Sequence, residues 1–219
     1  SRWLGKSLSK AIIFDFDGTL VNSEKLIRNT FIDITRKIAP DRLSIAKKVL
    51  IGPPLKDTAK EILGGQREKF LNKFVADFIS IHDNEILAHT SLYNNTNETL
   101  SFLFQSGYKM AIATNKREGP TKKLIKHYNW GRYFEFIECS DNNALMKNKS
   151  QMIAKIISND KGFKNSFYVG DTTGDAKAAD FNNLRFIKAK YGYGKMQNWD
   201  SVESHKEIES IGELISILN

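Results

Sequence analysis

The stretch AIIFDFDGT, residues 11–19, decides how the rest of this chain is interpreted. An apolar run that stops at two carboxylates predicts a buried strand that carries acids at its open end. Because side chains alternate along a strand, Asp15 and Asp17 are expected on one side, and Phe14 and Phe16 on the other. Two carboxylates about 4 Å apart repel each other by about 4 kcal/mol at an effective dielectric constant of about 20. A divalent cation between them would remove that repulsion.

The two residues after the acids suit a turn around an anion. Gly18 lets the backbone turn sharply, and Thr19 offers a hydroxyl or amide donor, so both are predicted to bind phosphate. The alternative interpretation is an Asp-rich turn that caps a helix beginning near Asn22 and Ser23.

A second acidic stretch, FYVGDTTGD, residues 167–175, repeats the order of strand, acidic turn and helix. Ligands of open parallel sheets lie beyond the carboxyl ends of neighbouring strands, so the two acidic ends meet if their strands are adjacent. Ligation by oxygen alone, with no nearby His or Cys, favours Mg²⁺. The acids expected to surround one such ion are Asp15, Asp17, Asp171 and Asp175.

Two further elements supply groups that bind phosphate. The strand pattern KMAIAT, residues 109–114, ends at Thr114 and is followed by Asn115, whose hydroxyl and amide can hold phosphate oxygens. Lys149, at the start of a helical stretch, supplies a positive charge, and Lys147 is the alternative.

These motifs, in this order, resemble the haloacid dehalogenase superfamily, in particular its small-molecule phosphatases close to phosphoglycolate phosphatase. The resemblance covers nearly the whole chain and rests on DFDGT at 15–19, ATNK at 113–116, Lys149 and GDTTGD at 170–175. One departure is Ser150, because relatives of this kind commonly have proline after the lysine.

The resemblance implies a mechanism for each of these residues. Asp15 would be the nucleophile that forms an aspartyl-phosphate, and Asp17 the acid and base that serves the leaving alcohol and then water. Mg²⁺ would be held by Asp15, the backbone carbonyl of Asp17 and Asp171, with Asp175 as an outer or alternative ligand. Thr114 and Lys149 would bind the transferring phosphoryl group.

The fold class predicted is α/β, a Rossmann-like three-layer parallel sheet core with an inserted small α-helical cap domain. Helical periodicity fills residues 23–85, whereas strand patterns near 11–15, 109–114, 134–138, 166–170 and 184–187 alternate with helices. The core domain is therefore expected over 1–20 and 88–219, and the cap over 21–87. Within the cap, IGPPLK at 51–56 resembles the substrate-specificity loop of such phosphatases, through Pro53 and Lys56; a plain helix connection is the alternative.

Composition agrees with a soluble enzyme. The 219 residues are 41% hydrophobic, and no apolar stretch approaches the length of about 20 residues that spans a bilayer. A cytoplasmic location, no membrane partner and a monomer or weak dimer are expected. The formal net charge of +8 is interpreted as a solvated basic face that attracts anionic metabolites, and no nucleic acid is expected as a partner. The four histidines are dispersed and are interpreted as surface or packing residues.

Three functions remain open from the sequence. The first is a Mg²⁺-dependent phosphatase for a small phosphorylated metabolite, of the phosphoglycolate or sugar-phosphate type. The second is a phosphomutase that uses the same Asp15 and Asp17. The third is a catalytically idle relative that binds a partner through its basic surface.

Overall fold

A parallel β-sheet forms the centre of the larger part of the molecule. The computed structural model describes residues 10–141 and 148–218. Within them, six strands make one sheet in the order β5-β4-β1-β6-β7-β8, and every neighbouring pair is parallel. Two short strands, β2 and β3, form a separate antiparallel pair. The strands are β1 (Ala11–Phe14), β2 (Val21–Asn22), β3 (Ser91–Leu92), β4 (Lys109–Thr114), β5 (Phe136–Cys139), β6 (Phe167–Gly170), β7 (Arg185–Ala189) and β8 (Lys206–Ile208).

The α-helices fall into two groups. The first four follow β2 and precede β3, and the remainder alternate with the strands of the sheet. They are α1 (Glu24–Ile38), α2 (Leu43–Lys48), α3 (Leu55–Leu63), α4 (Leu71–Glu85), α5 (Thr96–Gln105), α6 (Glu118–His127), α7 (Lys149–Asn159), α8 (Thr173–Phe181) and α9 (Leu214–Ile217). Across the described parts of the chain, none of these helices has the length and apolar character needed to cross a bilayer.

The sheet has apolar cores on both faces, which explains the nearly continuous apolar sequence of its central strands. In β1, Ile12 and Phe14 pack into one core, whereas Ala11 and Ile13 pack into the other. Phe16 continues the first set, as the alternation predicts. The arrangement of helices, sheet and helices is the three-layer fold that the sequence predicts.

The position of β1 between β4 and β6 decides where the polar residues meet. Phe14 pairs with Ile112 on one side and with Val169 on the other. Asp15 comes directly after β1, and its backbone N–H donates to the carbonyl of Val169 at 2.9 Å. The strand ends of β4 and β6 therefore lie on either side of Asp15.

The four helices α1–α4 enclose a third apolar core of their own, separate from the two cores of the sheet. Phe31 of α1 packs on Phe74 and Phe78 of α4, with ring centroids 6.2 and 4.9 Å apart. This helical unit is the inserted cap that the sequence predicts. Residues 20–21 and 87–88 remain our proposal for its boundaries, and the paired β2 and β3 lie close to both.

The five strand ranges predicted from the sequence agree with β1, β4, β5, β6 and β7 to within two residues at each end, but β2, β3 and the edge strand β8 were not predicted. This edge strand has the sequence Lys206-Glu207-Ile208, with two exposed charged residues and one buried apolar residue. So short and polar a segment has no strand periodicity, and only its pairing with β7 makes it a strand.

We expect Gly18→Ala to destabilise the protein by about 2 kcal/mol or more. Gly18 has a φ angle of +82°, and a Cβ atom there would overlap the carboxylate of Asp171. Urea unfolding measures the change. Gly119→Ala is the matched control, because Gly119 lies in α6 and a Cβ there meets no atom within 4 Å. That variant is expected to gain up to about 1 kcal/mol. Equal stability of the two variants would contradict the conclusion that a Cβ atom is not tolerated at Gly18.

Candidate active site

Asp15 lies at the centre of the candidate site and is bound on both carboxylate oxygens. Its Oδ1 accepts the N–H of Phe16 at 2.7 Å, and its Oδ2 lies 2.9 Å from Nζ of Lys149. The side chain is only 5% exposed, so this ion pair is shielded from water. Lys149 is the first residue of α7 and is brought here by the crossing from β5 to β6.

Three carboxylates share this buried volume. Among the described residues, Asp15, Asp171 and Asp175 offer oxygen atoms that all lie within 4.8 Å of one another. Nζ of Lys149 also lies 2.5 Å from Oδ1 of Asp175. When all four groups are ionised, three negative charges surround one positive charge, which leaves a net charge of −2 away from water.

The electrostatic consequence is seen in the pKa values. Burial raises the pKa of Asp15 to about 7, although Lys149 opposes the shift. Burial and the charges of Asp175 and Asp15 raise the pKa of Asp171 well above its usual range. Burial disfavours the charge of Lys149, but the two aspartates outweigh it and raise the pKa of that ammonium. The single positive charge of Lys149 is thus too little to neutralise the carboxylates of the cluster.

Asp171 is held in place by the turns around it. Its Oδ1 accepts the hydroxyl of Thr19 at 3.1 Å, and its Oδ2 accepts the N–H of Tyr193 at 2.6 Å. Gly18 and Gly192 pass so close that a Cβ on either would overlap the Asp171 side chain. Each oxygen of Asp171 has one protein donor here, which leaves further lone pairs for another ligand.

Asp175 has a different environment because hydrogen-bond donors surround both of its oxygens. Oδ2 accepts the N–H groups of Asp171 and Thr172 and the Thr172 hydroxyl, at 3.1, 2.9 and 2.7 Å. Oδ1 accepts Lys149 and the hydroxyl of Tyr168. A carboxylate offers about four lone-pair sites, so these five donors leave none of them free. Asp175 therefore fixes Lys149 and the first turn of α8, where it forms a capping box with Thr172.

The carboxylate of Asp17 is not part of this three-carboxylate cluster, although it lines the same cavity as Asp15. It binds the hydroxyl of Ser23 and Nζ of Lys116, which lies 2.9 and 3.2 Å from its two oxygens. Strand β1 ends at Phe14, the alternation continues to Phe16, and the turn at Gly18 then redirects the chain. The Asp17 side chain thus has partners of its own, and its role at the site stays a prediction.

A cavity lined by residues of both the sheet domain and the cap opens above Asp15. Thr114, Asn115 and Lys116 line it on the sheet side, at the end of β4. The Thr114 hydroxyl oxygen accepts the N–H of Lys116 at 3.1 Å, which orients the hydroxyl group. Asn115 donates from Nδ2 to the carbonyl of Gly52 at 2.9 Å and so joins the sheet to the cap.

The other residues predicted for the site lie in different positions. Pro53 lines the cavity, whereas Lys56 is exposed and is not one of the lining residues. The Thr19 hydroxyl supports Asp171. Lys147, the alternative to Lys149, lies outside the described residues. The functional roles assigned to all these side chains stay predictions.

Several residues that support the site were not identified from the sequence, namely Ser23, Tyr168, Thr172 and Tyr193. Tyr168 alternates with two apolar neighbours in β6 and so resembles an ordinary core residue. Its hydroxyl nevertheless donates to the carbonyl of Ala113 at 3.0 Å and to Asp175 at 3.2 Å. Thr172 could have been identified from the sequence, because Thr followed by an acid three positions later is a helix-capping pattern.

Charged residues also join the cap to the sheet domain on the far side of the cavity. Arg117 forms an ion pair with Asp83 at the end of α4, and Lys123 donates to the carbonyl of Asp83 at 3.1 Å. His82 stacks on Phe78 with ring centroids 5.1 Å apart, and its Nε2 lies 3.4 Å from Nζ of Lys116. His82 is thus the packing residue that the sequence predicts, but it also lines the cavity.

The donor set fits a hard divalent cation. All its candidate ligand atoms are oxygens, the cluster is buried, and its net negative charge matches a doubly positive ion. Among the described residues, no histidine or cysteine belongs to this cluster. The composition of the site therefore favours Mg²⁺ over zinc or copper.

Comparison with known proteins agrees with this geometry. A family model described as haloacid dehalogenase-like hydrolase matches residues 12–189, which include both acidic strand ends and the cap. The phosphoglycolate phosphatase of Aquifex aeolicus is 25% identical over 197 residues, which cover 86% of this chain and 88% of that protein.

Two further comparisons extend the range of relatives. The tyrosine-protein kinase PtkA of Mycobacterium tuberculosis is 25% identical over 187 residues, which cover 84% of this chain. The match spans only 63% of the length of that kinase. The solved structure of a haloacid dehalogenase-like hydrolase from Streptococcus pneumoniae superimposes with a TM-score of 0.81 at 21% identity. It covers 95% of this chain and 98% of that one, which shows a common fold.

We expect Lys149→Met to destabilise the metal-free protein by about 3–5 kcal/mol at pH 8, because it leaves buried carboxylates without a cation. The loss should be smaller at pH 5. With a pKa of about 7 in the folded state and 3.8 ordinarily, Asp15 binds a proton on folding between about pH 4 and pH 7. Stability therefore falls as pH rises through that window.

Urea unfolding at the two pH values, with a chelator present, measures this effect. Lys161→Met is the matched control, because Lys161 is exposed and lies outside the cluster. A loss of stability that is the same for Lys149→Met at both pH values would contradict the charge imbalance.

Proposed function

The chain belongs to the haloacid dehalogenase-like hydrolases, and from that premise we propose that it is a Mg²⁺-dependent phosphatase of small phosphorylated metabolites. The observation that carries the proposal is the position of Asp15. Its carboxylate lies on the floor of the cavity and is paired with a buried lysine inside a cluster of acids. That is the arrangement a nucleophile needs if it is to attack a phosphoryl group.

The first chemical step is attack of Asp15 on phosphorus. A bond forms between a carboxylate oxygen and phosphorus, the ester P–O bond breaks, and the alkoxide takes a proton from Asp17. The second step is attack of water on the same phosphorus, with its proton passed to Asp17, which frees Asp15 and inorganic phosphate. Lys116 and Ser23 hold the carboxylate of Asp17 at the side of the cavity for both transfers.

The phosphoryl group would be bound from the sheet side. Lys149 lies 2.9 Å from Asp15 and so brings a positive charge to the oxygens that surround the phosphorus. The Thr114 hydroxyl, oriented by the N–H of Lys116, would donate a hydrogen bond to one of those oxygens. Because transfer of phosphoryl mainly requires positioning and charge neutralisation, these groups account for most of what the protein must provide.

The residues that would hold Mg²⁺ are Asp15, Asp171 and the backbone carbonyl of Asp17. When bound, the ion supplies positive charge to the phosphoryl oxygens and to the buried carboxylates. Asp175 would not bind the ion directly, because five donors already occupy its oxygens. Its part is to keep Lys149 and the Asp171 turn in position.

The substrate proposed from the sequence is of the phosphoglycolate or sugar-phosphate type. The name of the Aquifex aeolicus relative supports the first of these. A phosphomutase would use the same Asp15 and Asp17, and would be recognised by isomerised sugar phosphate with little free phosphate. Binding of nucleic acid at moderate salt, without hydrolysis of any monoester, would instead favour a binding protein.

We expect Asp15→Asn to lower phosphate release from an aryl phosphate by at least about a thousandfold, because the nucleophile is lost. The assay measures free phosphate in the presence of Mg²⁺. In the unmodified protein, mass spectrometry after an acid quench should detect phosphate on the peptide that contains Asp15. Asp33→Asn, on an exposed part of α1, is the matched control. Turnover that survives in Asp15→Asn would remove the assigned nucleophile.

A second prediction concerns the metal itself. Mg²⁺ at a hundred times its dissociation constant should stabilise the folded protein by about 2.7 kcal/mol, seen as a rise in the melting temperature. Asp171→Asn should lose most of that rise, whereas Asp200→Asn, at an exposed aspartate, should keep it. EDTA should abolish both the rise and the activity. An equal Mg²⁺ response in the two variants would argue against Asp171 as a ligand.

A further inference from the structure

The cavity above Asp15 has two unlike sides. The sheet side, residues 114–117, carries hydroxyl, amide and charged groups. Of the described residues that line the cavity, those contributed by the cap include no Asp, Glu, Lys or Arg. Six of them are apolar, namely Ile27, Phe31, Ile51, Pro53, Leu55 and Phe78. The leaving group of a substrate attacked by Asp15 would extend toward this apolar side.

The polar groups on the cap side add no charge. Burial and the neighbouring Lys116 lower the pKa of His82, so its ring is neutral at pH 7. The hydroxyl of Thr58 donates to the carbonyl of Pro54 at 3.4 Å. The ring of Phe31 lies beside Phe78, and His82 stacks on the other end of Phe78, which gives the cap an aromatic surface.

The lysine and the arginine among the described residues that line the cavity already have partners. Lys116 binds both oxygens of Asp17, and Arg117 binds Asp83. Arg28 of the cap donates to the carbonyl of Val49 at 2.5 Å, and Arg42 to that of Ile62 at 2.8 Å. A second anionic group on a leaving group would have to displace Asp17 from Lys116 or lie unpaired on apolar surface, and both are unfavourable.

We infer that this cavity selects phosphate monoesters whose leaving alcohol is uncharged and largely apolar, such as an aryl, benzyl or alkyl group. The inference rests on the proposed phosphatase function, and it replaces the phosphoglycolate or sugar-phosphate type proposed from the sequence with an apolar monoester. An apolar group gains from burial against the cap, whereas glycolate or a second phosphate does not.

The test compares kcat/KM for phosphate release in the presence of Mg²⁺. Benzyl phosphate and butyl phosphate are the apolar probes, and phosphoglycolate and pyrophosphate are the anionic ones. We expect the apolar probes to be preferred by at least about tenfold. A preference for phosphoglycolate or pyrophosphate overturns the inference and leaves the phosphatase function standing. Release of phosphate from none of the probes overturns both.

A pair of matched variants tests the role of the cap surface directly. Leu55→Lys adds a cation to the cavity lining, whereas Leu87→Lys makes the same change at an exposed position outside it. We expect Leu55→Lys to shift the ratio of kcat/KM values toward phosphoglycolate by about tenfold. Leu87→Lys should leave the ratio within about twofold. An unchanged ratio in a folded Leu55→Lys protein overturns the inference, and if that variant does not fold, the probe preferences of the unmodified chain still decide it.

Discussion

The ion pair between Lys149 and Asp15 is the interaction on which the rest of the site depends. It is buried, it lies at the end of the central strand, and it leaves two further carboxylates without a matching cation. Such an imbalance destabilises a folded protein unless another positive charge binds. The same imbalance underlies the proposed binding of a divalent ion and, with that ion, of phosphate. The stability of the folded protein and its proposed chemistry therefore depend on the same charged side chains.

The hydrogen-bond partners of each aspartate determine which role its carboxylate is suited to. Asp171 keeps free lone pairs because only two donors reach it, so it is suited to hold a metal. Asp175 has five donors around its two oxygens, which leaves no free lone pair, and it is suited to hold Lys149. Asp17 is paired with Lys116, outside this cluster, and is suited to exchange protons with a leaving group and water. Three carboxylates of the same residue type thus differ through their hydrogen-bond partners alone.

In the proposed function, the cap would select the leaving group of the substrate, whereas the sheet side would bind the phosphoryl group. The sheet side offers the charged and polar groups that would bind the phosphoryl group. The cap side is built around Phe31 and Phe78, which also form the apolar core of α1–α4. Because the same rings stabilise the cap and line the cavity, a change of substrate preference by mutation is easier at Leu55, on the border, than at either phenylalanine.

The sequence by itself determined the fold class and the meeting of Asp15 with Asp171. Apolar runs that end in acids predict adjacent strand ends, and the parallel sheet places β1 beside β6. The direction of Asp17, the pairing of Lys116 and the apolar cap surface were decided only by the tertiary structure. Strand alternation stops where the chain turns at Gly18, and partners 99 residues apart, such as Asp17 and Lys116, leave no local pattern. Contacts of that kind arise only when separate elements pack together.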